Sequence, residues 1–206
     1  MDIWTLCNNK ITLEELKITK GDINDKCEEE EGSTPFHYIC FNSYSNGFDM
    51  EILKYCCDVM KADINVKNSY EDTPFHNICI NESNMEILKY CCEVLKADIN
   101  NKNFDGDTPF HNICFYSKSN GFNIEMLRYC CEFLKADINV KNINGYTPFD
   151  YLCNLKIAHN ILKYLGKNNL LTDETIKDSK LTTKNKLRYF TEGTMVNLDD
   201  PDYVLY

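Results

Sequence analysis

No stretch of 18 consecutive apolar residues occurs in the 206-residue chain, so no membrane-spanning helix is expected. Met1 to Lys10 also lacks a sustained hydrophobic run and contains Asp2, Asn8 and Asn9, so no apolar targeting segment is expected there. Basic charge is scarce as well. The chain carries 22 Lys+Arg against 32 Asp+Glu, a net charge of -10, which repels a phosphate backbone and argues against general nucleic-acid binding. Cysteine, in contrast, is abundant at 12 residues, which raises the question of disulfides. Most of these residues recur at equivalent helical positions: Cys40, Cys79, Cys114 and Cys153, and the pairs Cys56-Cys57, Cys91-Cys92 and Cys130-Cys131. Adjacent cysteines on one helix point about 100° apart and do not readily bridge. Reduced thiols and a cytoplasmic location are therefore expected, with the nucleus and delivery into a host cell left open.

The residues that are present are organised by repetition. Thr73-Pro74-Phe75-His76-Asn77-Ile78-Cys79 recurs as Thr34-Pro35-Phe36-His37-Tyr38-Ile39-Cys40, as Thr108-Pro109-Phe110-His111-Asn112-Ile113-Cys114, and in degraded form as Thr147-Pro148-Phe149-Asp150-Tyr151-Leu152-Cys153. The threonines lie 39, 35 and 39 residues apart, a period that signals stacked supersecondary units. Threonine suits an N-cap and proline the first helical position, so helices are predicted to start near Pro35, Pro74, Pro109 and Pro148. A second phrase, Met85-Glu86-Ile87-Leu88-Lys89-Tyr90-Cys91-Cys92, has counterparts beginning at Met50 and Ile124. Its apolar pairs at i, i+1, i+4 and i+5 form the stripe of a helix packed along one face. A third phrase, Ala-Asp-Ile-Asn, follows at Ala62, Ala97 and Ala136. Each unit thus reads helix, loop, helix, extended turn.

These three phrases, in this order, resemble the ankyrin repeat, whose pattern is Thr-Pro-Leu-His on the first helix, apolar pairs on the second and Gly-Ala-Asp-x-Asn before a hairpin. The resemblance covers roughly Ile11 to Lys167 and implies an all-α solenoid. On that reading, residues 1–33 form a divergent N-terminal capping repeat, 34–72, 73–107 and 108–146 are full repeats, 147–169 is the C-terminal repeat or cap, and 170–206 is an extension. Ile11, Leu13, Leu16 and Ile18 supply the apolar pattern of the first cap, and Gly21-Asp22-Ile23-Asn24 echoes the later turn phrase. The Glu28 to Glu31 run reads as a solvated turn.

Several departures from the family pattern carry their own expectations. Ile78 and Cys79 stand where small alanines are usual, and Cys91 and Cys92 where two leucines are usual, so summed core volume is roughly kept. The glycine that usually ends the second helix is missing from the middle units, with one extra residue in its place, as in Leu95-Lys96 before Ala97. A slightly longer helix or a different exit is expected there. Gly166 is expected to supply this stop in the last unit. Ser45-Asn46-Gly47-Phe48 and Ser119-Asn120-Gly121-Phe122 are matching insertions, either spacers or projecting contacts through Phe48 and Phe122.

Chemistry at the repeated His and Cys is weighed against this frame. His76, Cys79 and Cys91 or Cys92 offer three zinc ligands per unit, but neighbouring repeats, about 8–10 Å apart, cannot complete a site through these helices, so no metal and no cofactor is expected. The resemblance gives the histidine a structural task, hydrogen bonding around the Thr-Pro turn. A Cys/His nucleophilic pair needs a cleft with an oriented base, whereas an arrangement repeated in consecutive units reads as scaffold, so no enzyme is expected. A metal or thiol protein stays as the remote alternative.

What the resemblance implies is a concave protein-binding face made of hairpin tips and first helices. Its candidate residues are Tyr70, Glu71, Asp72, Phe104, Asp105, Asp107, Ile143, Asn144 and Tyr146 at the tips, and Tyr38, Asn77, Asn112 and Tyr151 on the first helices. Aromatic anchors among carboxylates suit a partner segment carrying Lys or Arg, read by a monomer. An alternative makes the 170–206 extension the functional motif or lid, with the repeats as its mount. The resemblance also makes Asn65, Asn100 and Asn139 candidate hydroxylation acceptors.

Overall fold

The computed structural model describes residues 2–6, 11–42, 49–81, 84–116, 124–152, 164–168, 170–171 and 175. Phe48 and Phe122, Cys153, the Ile161 to Lys163 stretch and the extension beyond residue 175 lie outside the described residues. Among the described residues the chain is helical, with only isolated bridges pairing Asp2 with Lys20 and Cys27 with Ser33.

Two short helices open the chain, α1 (Ile3–Leu6) and α2 (Leu13–Ile18). A capping box starts α2: Thr12 Oγ1 accepts from the Glu15 N–H at 3.3 Å while the Thr12 N–H donates to the Glu15 carboxylate at 2.9 Å. Leu16 and Ile23 are buried as the apolar pattern requires, but Ile18 is exposed. Ile18 follows Leu16 by two residues, about 200° round the helix, and so lies on the side opposite the core.

Three helix pairs follow: α3 (Pro35–Asn42) with α4 (Met50–Lys54), α5 (Pro74–Asn81) with α6 (Met85–Lys89), and α7 (Pro109–Tyr116) with α8 (Ile124–Arg128). Helix α9 (Pro148–Leu152) opens a fourth unit. All four first helices start at the proline that the sequence predicts. Asp49 and Asn84 cap α4 and α6, accepting from the Glu51 and Glu86 N–H at 2.8 and 2.9 Å. Helices α3, α5, α7 and α9 pack against one another in chain order. Phe36, Phe75, Phe110 and Phe149 are each at most 1% exposed, so the first helices pin one continuous core. Burial of each ring contributes on the order of 2–3 kcal/mol.

The missing glycine at the second-helix exit is resolved by a wider turn. After Lys54, Lys89 and Arg128 the backbone switches to i+5→i bonding, with the N–H of Met60, Leu95 and Leu134 donating to the carbonyls of Tyr55, Tyr90 and Tyr129 at 3.1, 3.1 and 3.2 Å. The extra residue is absorbed in that turn, and Lys61, Lys96 and Lys135 take the left-handed conformation at φ 60°, 60° and 57°. That conformation costs a non-glycine residue roughly 1–2 kcal/mol. In two units the lysine itself offers an offset, since Lys61 Nζ and Lys96 Nζ donate to the Asp58 and Glu93 carbonyls at 2.6 Å, where a cation also favours the helix C-terminus.

Gly166 is not a helix stop. It is buried within a helical turn at 164–167, at the register of Cys57, Cys92 and Cys131. The chain stays helical to Lys167, where the Asn168 N–H donates to the Tyr164 carbonyl at 3.2 Å and the Leu170 N–H to the Leu165 carbonyl at 3.0 Å. Leu170 and Leu165 hold the positions of Lys61 and Cys56, so this i+5→i bond falls one residue later than the exit bond of the middle units.

Side chains bind one unit to the next along two lines. The asparagine of each turn phrase donates to the carbonyl at the next unit's exit: Asn24 to Lys61 at 2.9 Å, Asn65 to Lys96 at 3.5 Å, Asn100 to Lys135 at 3.0 Å and Asn139 to Leu170 at 2.9 Å. The tyrosine of each second helix donates to an acid of the preceding unit: Tyr90 to Asp58 at 3.0 Å, and Tyr129 to Glu93 and Tyr164 to Glu132 at 2.6 Å. Lys54 and Lys89 lie over the Tyr90 and Tyr129 rings at 5.7 and 5.4 Å.

Two stability predictions follow from these links. Lys96→Ala keeps the left-handed strain and loses the ammonium tether, so its urea midpoint falls by the equivalent of about 0.5–1 kcal/mol, whereas Lys96→Gly returns near wild type. Tyr129→Phe costs about 1–2 kcal/mol, and a double-mutant cycle with Glu93→Gln recovers a coupling of at least about 0.5 kcal/mol.

Candidate functional site

The first-helix face is built on one repeated capping arrangement. The buried N–H groups of Thr34, Thr73 and Thr108 donate to Nδ1 of His37, His76 and His111 at 3.1, 3.1 and 3.0 Å. In return the His76 and His111 N–H groups donate to Thr73 and Thr108 Oγ1 at 3.4 and 3.3 Å. This is a capping box with histidine in the role usually taken by glutamate. A backbone N–H can only donate, so Nδ1 must be the acceptor and Nε2 carries the proton. Nε2 of His37 and His111 lies 3.0 and 3.2 Å from the carbonyls of Asp72 and Tyr146, the last residues of the same units. Among the described residues His76 Nε2 is buried without a hydrogen-bond partner. In the fourth unit Asp150 Oδ2 takes the same place, accepting from the Thr147 N–H and Oγ1–H at 2.8 and 2.9 Å.

Since the lone pair of Nδ1 is engaged, these histidines are not presented as metal ligands or bases. Burial lowers the His37 and His111 pKa and brings that of His76 to about 4. It acts on the thiols in the opposite sense, raising Cys57, Cys92 and Cys131 to about 12 and Cys40 and Cys130 well above the ordinary value. Every described cysteine is a free thiol.

The hairpin tips are held by backbone bonds from each unit to the last. The N–H groups of Ser69, Phe104 and Ile143 donate to the carbonyls of Glu31, Tyr70 and Asp105 at 2.8, 2.8 and 2.9 Å. Asn68, Asn103 and Asn142 close each tip through Oδ1, which accepts from the N–H of Asp72, Asp107 and Tyr146 at 3.0, 2.9 and 2.9 Å. Each tip also needs one left-handed residue, supplied by Glu71, Gly106 and Gly145 at φ 59°, 73° and 75°. At Gly106 a Cβ would meet the Asn142 Cα at 3.2 Å, so a side chain is excluded by the next tip as well as by φ.

The described candidate binding residues divide into three groups. Exposed at the tips are Tyr70 at 54%, Phe104 at 71% and Ile143 at 68%, with Glu71, Asp105 and Asn144 also exposed. Four others enter inter-unit bonds. Asp72 and Asp107 accept from Asn103 and Asn142 Nδ2 at 2.8 and 2.7 Å, and Asn77 and Asn112 donate to the carbonyls of His37 and His76 at 3.1 Å. Their side chains are half-buried because the next or preceding unit leans on them. Asn65, Asn100 and Asn139 are likewise engaged in the exit line described above.

Aromatic side chains gather at both ends of the face. Tyr38 stands edge-on to Trp4 at 6.1 Å and donates its hydroxyl to Glu30. Tyr151 stacks on Tyr146 at 5.6 Å and meets Phe115 edge-on at 5.0 Å, with Tyr116 edge-on to Phe115 at 4.8 Å. A groove of about 200 Å3 between α3 and α5 is lined by Ser33, His37, Tyr38, Phe41 and Asn77. Sequence reasoning missed Phe41 and Phe115, both exposed. The available signal was that they hold one position, seven residues after the capping threonine.

Comparison with protein-family models and with curated proteins returns no match.

The buried neutral histidines make stability depend on acid. A folded-state pKa below the unfolded value means that the unfolded chain binds the proton more readily, so this stabilisation is complete above the unfolded value of about 6.5 and is lost as pH falls toward 4. Between pH 7 and pH 5 His76 alone is expected to account for about 2 kcal/mol of lost stability. His76→Asn, whose Oδ1 accepts the Thr73 N–H but does not titrate, should shrink the pH 7 to pH 5 difference in urea midpoint by that share.

Proposed function

We propose that this chain is a non-enzymatic protein-interaction module of the ankyrin type, a solenoid that holds a segment of another protein along its hairpin tips and first helices. The observation that carries the reading is the row of large apolar side chains, Tyr70, Phe104 and Ile143, more than half exposed on tips that are bonded rigidly to one another. Exposed aromatic and aliphatic groups on a rigid frame are what hot-spot recognition requires. The thiols and histidines that would serve catalysis are instead buried, and their pKa values are shifted away from reactivity. Glu71 and Asp105, exposed beside the apolar row, favour a Lys- or Arg-containing partner. Among the described residues no helix is long and apolar enough to cross a membrane. A cytoplasmic site of action fits the free thiols.

The test is affinity capture with the full chain and with the Tyr70→Ala, Phe104→Ala, Ile143→Ala triple variant, after thermal melting has shown that both are folded. A partner retained by the wild type should be lost, or weakened at least about tenfold, in the variant. An identical set of bound proteins on both baits would overturn the reading.

A further inference from the structure

Tyr38, Asn77, Asn112 and Tyr151 occupy one position on four helices that pack in chain order, and so form one row. The two middle members are amides bonded to the preceding helix. The two end members are tyrosines, and each stands with a second aromatic ring and a carboxylate. At the first station Tyr38 is joined by Phe41 in the walls of the groove and by Glu30 at its hydroxyl. At the second, Tyr151 has Tyr146 stacked at 5.6 Å and Phe115 edge-on at 5.0 Å, and Asn142 Nδ2 donates both to Asp107 Oδ1 at 2.7 Å and to the Tyr151 hydroxyl at 3.5 Å, which brings the carboxylate to the ring and engages one of its two oxygens.

The surroundings are anionic. Glu28, Glu29, Glu31 and Asp105 are exposed along the same tips; Glu71 is exposed too but pairs with Lys67 at 3.1 Å, and the Lys26 and Lys67 ammoniums also donate to the Lys67 and Lys102 carbonyls at 2.7 and 3.2 Å. A flat aromatic wall beside a carboxylate matches a guanidinium, which stacks on the ring face and meets the carboxylate through a planar fork. An ammonium, as a compact point charge, uses the ring less well.

We propose that the first-helix face takes an extended segment of a partner protein carrying two arginines, one seated at Tyr38, Phe41 and Glu30, the other at Tyr146, Tyr151 and Asp107. This rests on the interaction-module reading and adds to it the chemistry and spacing of the ligand. Three helix intervals of about 8–10 Å separate the stations, roughly 24–30 Å in all. An extended chain rises about 3.3 Å per residue, so the arginines stand about eight residues apart. Asn77 and Asn112, lying between the stations, place polar surface under the intervening backbone.

The experiment is selection of a random peptide library displayed on phage against the folded full chain, followed by affinity measurement on a synthetic copy of the leading sequence. Enriched peptides should carry two arginines about eight residues apart. Their affinity should fall at least about tenfold with Tyr38→Ala or Tyr151→Ala, hold with Tyr38→Phe, and drop when the peptide arginines become lysines. Should Tyr38→Ala fail to fold, Phe41→Ser at the exposed neighbouring ring is expected to weaken binding in the same direction. Peptides without paired arginines, or affinities indifferent to these substitutions in folded protein, would overturn the proposal. Such peptides, if sensitive to the Tyr70, Phe104, Ile143 triple variant, would leave the interaction-module reading standing. A selection yielding no binder overturns both.

Discussion

The rest of the fold depends on where one buried backbone N–H finds its acceptor. The capping threonine of each unit is at most 2% exposed, so leaving its N–H unpaired would cost on the order of 1–3 kcal/mol. Histidine Nδ1 accepts it in three units and the Asp150 carboxylate in the fourth. With Nδ1 occupied, the imidazole proton must sit on Nε2, and in two units that atom meets the carbonyl preceding the next threonine. A local cap thereby also ties the start of a unit to its end, just ahead of the next capping threonine. The same requirement holds the histidines neutral and removes them from metal or acid-base chemistry.

Once the first helices are placed, three further lines of bonds run along the stack: the tip backbones, the turn-phrase asparagines with the exit carbonyls, and the second-helix tyrosines with the acids of the preceding unit. Each uses one residue per unit. Stability in such an arrangement is close to a sum of unit and neighbour terms, so the cost of a substitution is expected to be read at one junction. The surface that remains is defined by what those lines consume. Asp72, Asn77 and Asn112 belong to the junctions, Asp107 joins one through Oδ1, and the exposed apolar tips and the two aromatic clusters lie outside those lines.

Much of this was legible in the residues. Thr-Pro located all four first-helix starts, because both residues are selected by the unsatisfied N–H groups of a first turn. The structural task of the histidine was also foreseen, though its tautomer was not. The glycine argument held in the middle units and failed in the last. A longer helix or a different exit was expected where the glycine is missing, and a wider i+5→i turn absorbs the extra residue, with Lys61, Lys96 and Lys135 in the left-handed position. Gly166, read as a stop, is a buried helical residue where the other units place cysteine.

By itself the sequence determined the unit, its period and its helix starts, because capping chemistry and apolar spacing are local and each residue type carries its own constraint. Only tertiary structure decided which neighbour each polar residue meets. Asn77 and Tyr38 hold the same position, yet the amide donates to the His37 carbonyl of the preceding helix while the phenol donates to Glu30 and its ring lines a groove. That difference depends on what the adjacent unit presents a helix diameter away, and no periodicity within a single unit contains it.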